Sequence, residues 1–174
     1  RHVSGDWGEP MHRVGFHAEG LFEYHALLFV PERTPFDLYY RDVKYGLQLY
    51  VNRVMIMDRC EELLPGYLRF VRGVVDSPDL SLNVSREMLH QDRRVAQIRK
   101  RVVKKLLDSF GELLEQDREK YLTFWASFGA ALKEGVPNDP ENQEKLNTLL
   151  MFQSTQDEAA FTTLDEYVER MKEG

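Results

Sequence analysis

Arg86 stands in the run Asn83-Val84-Ser85-Arg86-Glu87-Met88, and its position gives it the best claim in this chain to chemistry. Ser85 is placed to cap a helix, because its hydroxyl can accept from the backbone N–H of Glu87 or Met88, and Glu87 complements the positive end of the helix dipole. Arg86 then falls at the first helical position. A cation there sits beside free backbone donors, a favourable arrangement only when the guanidinium reaches out to an anion. On the residues alone, two readings stay open, a surface arginine and an anion-binding one.

Other chemistry finds little support. The chain has no GxxxxGK[ST] loop and no GxGxxG fingerprint, so it carries none of the usual backbone cradles for nucleotide phosphate. His12, His17 and His25 fall on two neighbouring strand candidates and could converge on a metal, but lone strand histidines are more often ordinary surface or core groups, so no metal site is expected. Cys60, the single cysteine, reads as a small buried residue and not a nucleophile, and it points to a reducing compartment. Net charge is −6 over 174 residues, which argues against a general nucleic-acid binder. Its distribution is uneven. Residues 1–110 hold 17 basic and 15 acidic groups and residues 111–174 hold 6 and 14, so the C-terminal part is acidic. No stretch is long and apolar enough for a transmembrane helix, and no membrane partner is expected.

The elements that must position Arg86 read as follows. Val14, Phe16 and Ala18 alternate with polar residues as a half-buried strand, and Phe22 to Val30 forms the return strand, expected to be central and covered on both faces towards its end. Leu47, Leu49 and Val51 continue the alternation. The inward set then slips to Val54 and Ile56, which suggests a bulge at Asn52-Arg53. Phe70 to Val75 is a short β-branched run stopped by Asp76-Ser77-Pro78-Asp79. Between Arg33 and Gly46, Phe36, Leu38, Tyr39, Tyr40 and Tyr45 are interleaved with charges. Such groups either fold back on the sheet or meet a partner.

After Gln91 the chain turns helical, with the stripe Val95, Ile98, Val102, Leu106 and Phe110. The basic groups Arg93 to Lys105 cover its other faces, either as a solvated surface or as a site for an anionic partner. Gly111 permits a break. Asp117 can cap a second helix with Tyr121, Trp125, Phe128 and Leu132; Gly135 and Pro137 stop it, and Asp139-Pro140 starts a third. Residues 153–162 are polar and expected to be mobile, and Thr163 with Glu166 spells a capping box for a last helix. The expected organisation is an α/β unit at 1–110, a helical subdomain at 111–152, and a linker with a short terminal helix at 153–174.

The run RGVVDSPDLSLNVSREMLHQ resembles the signature segment in the middle domain of the ninety-kilodalton heat-shock chaperone family, closest to its bacterial branch. The likeness extends through LLFVPERTPFDLYY, LQLYVNRVMIMDRCEELLPGYLRFV, YLTFWASFGAALKEG and LDEYVERMKEG. The resemblance implies a layered α/β/α sandwich of the ribosomal protein S5 domain 2-like class, followed by a small three-helix subdomain. It implies a cytoplasmic, homodimeric, ATP-dependent chaperone that binds unfolded client proteins. Mg-ATP would be held by an N-terminal domain outside this chain, and dimerisation would use a C-terminal domain also outside it. Arg86 would be the arginine supplied to the γ-phosphate, so the segment alone is expected to be inactive. Where the family often carries a second phosphate-directed glutamine, this chain has His90. Asn83 would either steady the turn or bond to phosphate. Trp7 and the loop residues Phe36, Leu38, Tyr39 and Tyr40 would meet clients or the nucleotide domain.

Overall fold

The computed structural model describes residues 9–20, 22–81 and 86–171, with the side chains of Arg86 and Glu87 outside the description. The chain forms two compact units, residues 1–106 and 107–174. The first is built on a five-stranded mixed sheet of order β1-β2-β5-β3-β4, made from β1 (His12–Ala18), β2 (Tyr24–Val30), β3 (Leu47–Val51), β4 (Val54–Cys60) and β5 (Arg72–Asp76). Neighbours are antiparallel except β3 and β5, which run parallel.

Alternation along the strands sorts the sheet into two faces. Tyr24, Ala26, Leu28 and Val30 are buried, as are Val75 of β5 and Leu47, Leu49 and Val51 of β3. The other face stays half open. Leu27 is 40% exposed and Phe29 half-buried, so β2 is an interior strand covered on one face, with β5 at the centre of the sheet. The expectation of a strand covered on both faces overweighted its apolar run: an exposed leucine on an otherwise polar face costs little.

The slip after Val51 is a tight hairpin turn. Asn52 and Arg53 both take positive φ, 51° and 66°, the pair that a two-residue turn between twisted antiparallel strands requires. Val51 therefore faces Val54 across the turn. Smaller irregularities lie further along, between Leu47 and Tyr50. Gly73 in β5 is dictated by space, since a Cβ there would stand 2.3 Å from the Leu27 carbonyl oxygen, at a φ of +154°.

After α1 (Arg86–Gln91), α2 runs unbroken from Arg93 to Gln116, straight through Gly111. The apolar stripe explains the continuity: Val95, Ile98, Val102, Leu106, Phe110 and Leu113 are all buried, and this outweighs the cost of about 1 kcal/mol for one helical glycine.

In the second unit Asp117 caps α3 (Arg118–Lys133), accepting from the Lys120 N–H at 3.0 Å. Tyr121, Phe124 and Phe128 pack in sequence along its buried side, with Phe110 4.7 Å from Phe124 between ring centroids. α3 ends at Lys133, beside the expected stop; Gly135 and Pro137 then lie in one separate turn, α4 (Gly135–Asn138), and a 3-10 turn at Pro140–Asn142 leads into α5 (Gln143–Leu149). The stretch expected to be mobile is a β-hairpin, β6 (Met151–Ser154) with β7 (Asp157–Thr163). The capping box forms as read, Thr163 and Glu166 bonding reciprocally at the start of α6 (Leu164–Glu169). Among the described residues no helix is long and apolar enough to cross a membrane.

Candidate functional site

The turn before α1 is fastened to the sheet. Ser77 is fully buried; its N–H donates to the Tyr50 carbonyl (3.1 Å) and its hydroxyl to the Glu23 carbonyl (2.8 Å). The Asp79 carboxylate accepts from the Glu23 N–H at 2.6 Å. Leu80 and Leu89 are buried to either side of residues 82–85, which include Asn83 and lie outside the described residues.

Arg94 closes the far end. Its guanidinium forks onto Asp92, with Nη2 at 2.7 Å and Nε at 3.1 Å, while Nη1 donates to the Asp79 carbonyl. The Asp92 carboxylate also accepts from the Arg94 N–H at 2.8 Å, and these bonds from Arg94 hold it below the usual carboxylate range. The stretch from Asp79 to Asp92 is thus tied at both ends, and the backbone of Arg86 begins the short helix inside it. Sequence reading missed Arg94 and Asp92, taking Arg94 as one more member of a basic run. The available signal was Asp92 followed two residues later by arginine, at a helix start.

His90, the position of the expected second phosphate contact, has an exposed ring whose Nε2 lies 3.3 Å from Glu62 Oε1. The Glu62 carboxylate is itself well buried and accepts from Cys60 Sγ at 3.4 Å. Burial, reinforced by that carboxylate, pushes the Cys60 thiol up to about 12, so it stays protonated and unreactive at neutral pH.

In the aromatic loop, a chain of turns runs through Leu38 N–H to Pro35 O, Tyr40 N–H to Asp37 O and Val43 N–H to Tyr40 O. Phe36 is 86% exposed, Tyr40 63% and Tyr39 53%. Leu38 is different, at 1%, and this corrects its placement among the partner-facing residues. It is the loop's anchor. Its carbonyl accepts from Arg69 Nε at 2.7 Å, and the Arg69 guanidinium, bonded also to the Gly66 carbonyl, lies 5.6 Å from the Tyr39 ring centre. Phe36 and Tyr40 meet edge to face at 6.1 Å. The fold-back reading therefore holds for Leu38, while Phe36, Tyr39 and Tyr40 stay in water. Trp7 lies outside the described residues.

The basic helix borders an open pocket of about 570 Å³ whose lining includes Phe22, Tyr24, Gln97, Lys100, Arg101 and Lys104. At its edge the buried Tyr24 hydroxyl has no hydrogen-bond partner among the described residues, and burial raises its pKa.

With this geometry in hand, likeness to known proteins is informative. The family model described as Hsp90 protein matches residues 1–174. The chaperone protein HtpG of Frankia casuarinae is 56% identical over 173 residues, covering 99% of this chain and 27% of that protein. HtpG of Bdellovibrio bacteriovorus is 55% identical, covering 99% and 28%. Among solved structures, the middle domain of a putative heat shock protein from Plasmodium falciparum superposes with a TM-score of 0.87 at 32% identity, over 99% of this chain and 67% of that one. The chain thus spans little more than a quarter of the length of the curated relatives it matches.

Proposed function

The chain belongs to the Hsp90 family, and from that premise we propose that it is the middle segment of an ATP-dependent chaperone, contributing Arg86 to the γ-phosphate of ATP held by a separate N-terminal domain. The observation that carries this reading is the fastened loop from Asp79 to Asp92, with Arg86 at the first position of its helix. A guanidinium contributes to phosphoryl transfer by neutralising charge that develops on the phosphate oxygens, and it does so best from a site that needs little reorganisation. Ser77, Asp79 and Arg94 supply that rigidity at the loop's ends. ATP bound next door supplies the bond to be hydrolysed; this chain's part is to orient and neutralise. His90 faces Glu62, so its part in phosphate contact is secondary to that of Arg86.

The same chain offers clients a surface. Phe36, Tyr39 and Tyr40 hold large apolar area in water on a loop whose anchor, Leu38, is buried, an arrangement suited to exposed apolar segments of unfolded proteins. In the alternative reading the chain is a non-catalytic interaction module that binds partners through this loop and the basic helix, and Arg86 is incidental. Two measurements on the full-length protein separate them: Arg86→Ala lowers ATP turnover by an order of magnitude or more with nucleotide affinity little changed, whereas Phe36→Ser with Tyr40→Ser weakens client capture and leaves turnover in place. Unchanged turnover in the Arg86 variant selects the interaction module.

A further inference from the structure

We propose that His17, Glu23 and His25 bind a divalent transition-metal ion of the Zn2+ class on the open face of the sheet, a site independent of the chaperone reading above. His17 in β1 and His25 in β2 are direct register partners, and their rings stack at 4.0 Å with only 2° between planes. Both present Nε2 to one oxygen: Glu23 Oε1 lies 3.0 Å from His17 Nε2 and 3.6 Å from His25 Nε2. The candidate ligand atoms all fall within 4.8 Å of one another. Metal–ligand bonds of about 2.0–2.2 Å place tetrahedral ligands roughly 3.3–3.6 Å apart, so small ring rotations bring the three donors onto one ion.

Two further features favour a metal over a plain histidine–glutamate hydrogen bond. Glu19 Oε1 stands 3.4 Å from His17 Nδ1, placed to accept from an N–H at that nitrogen and so leave the Nε2 lone pair for an ion, the carboxylate–histidine arrangement that orients metal-binding imidazoles. The Glu23 backbone is also anchored, its N–H to Asp79 at 2.6 Å and its carbonyl to Ser77 at 2.8 Å, which fixes the point from which its carboxylate reaches the two rings. The donor set, two imidazoles and one carboxylate, suits Zn2+, Co2+, Ni2+ or Cu2+ and not Mg2+ or Ca2+, which take oxygen. Exposure of the three side chains leaves room for water in the fourth position. The field is favourable: Glu19 and Glu23 both stand at the His17 ring, Asp76 is the β5 partner of His25, and Arg13, opposite Phe29, is four register positions away. His12 plays no part, since it pairs with Val30 at the other end of β1.

The test is calorimetric titration of the untagged chain with Zn2+ at pH 7.5, alongside the visible spectrum with Co2+. Expected are saturation at one equivalent and a tetrahedral Co2+ spectrum. His17→Ala and His25→Ala each weaken binding tenfold or more. Glu19→Gln weakens it about tenfold through the orientation of His17, and His12→Ala leaves it unchanged, with folding of every variant followed by circular dichroism. Absence of saturable binding, equal uptake of Mg2+, or undiminished binding in a folded His17→Ala/His25→Ala variant overturns the proposal.

Discussion

The proposed client role of the aromatic loop predicts that stability and client capture are separable, and the test is a comparison of two adjacent truncations. Leu38 is 1% exposed and its carbonyl holds Arg69, whereas Phe36 and Tyr40 lie 86% and 63% in water. Removing a fully buried leucine side chain costs about 2–5 kcal/mol. In a chain of this size each kcal/mol corresponds to about 2–4 °C, so Leu38→Ala is expected to lower Tm by roughly 4–20 °C. Phe36→Ser with Tyr40→Ser forfeits only the exposed edge-to-face pair, less than about 1 kcal/mol. Client capture reverses the order. Burying an aromatic ring against an apolar segment is worth about 1.5–3 kcal/mol, so losing each ring weakens binding by about tenfold or more. The assay pairs thermal melts with binding of a permanently unfolded, reduced and alkylated protein to the full-length chaperone. A double serine variant that melts as low as Leu38→Ala, or that captures unfolded protein as well as the parent, refutes the division of labour.

Two other outcomes follow from buried and bridged groups. Glu166 accepts a bidentate bond from Arg118 at 2.7 and 3.0 Å, and that bond, against the opposing effect of burial, holds its pKa at about 2 where an ordinary glutamate titrates near 4.5. A depressed folded-state pKa stabilises above the unfolded value and loses that contribution as pH falls from 4.5 towards 2. Since both side chains are about two-fifths exposed, solvent screening limits the gain to about 1 kcal/mol; Glu166→Gln should cost that much at pH 7 and progressively less below pH 4.5, as read by denaturant melts. Tyr24→Phe removes a buried hydroxyl that has no partner among the described residues and is expected to leave stability unchanged or raise it slightly, while Tyr121→Phe, which removes a buried donor to the Leu149 carbonyl, costs about 1–3 kcal/mol. Equal losses in the two melts would contradict the assignment of partners.

Sequence reading found what local chemistry encodes and missed what distant residues decide. Asp117 and the Thr163–Glu166 box were legible because a cap involves residues three apart. The hairpin of β6 and β7 was not: β7 is largely exposed, so its residues carry no alternating apolar signal, and part of its hold comes from Arg118, whose guanidinium donates to the Phe161 carbonyl some forty residues on. Gly111 was taken for a break because glycine disfavours helix locally, but the buried stripe continues past it. For the candidate site, the turn leading to Arg86 was visible through Ser77-Pro78, whereas the ties that fasten it, Glu23 to Asp79 and Arg94 to Asp79 and Asp92, join residues with no pattern linking them. Leu38 illustrates the same limit, since one leucine among aromatics gives no sign of which group turns inward.

The most direct test of the central claim is single-turnover ATP hydrolysis by the full-length protein carrying Arg86→Ala, measured with nucleotide affinity and with the melting of the folded chain. The account predicts a rate at least tenfold lower at saturating ATP, with affinity and melting close to the parent. A parental rate in a variant that folds and binds nucleotide normally would contradict it.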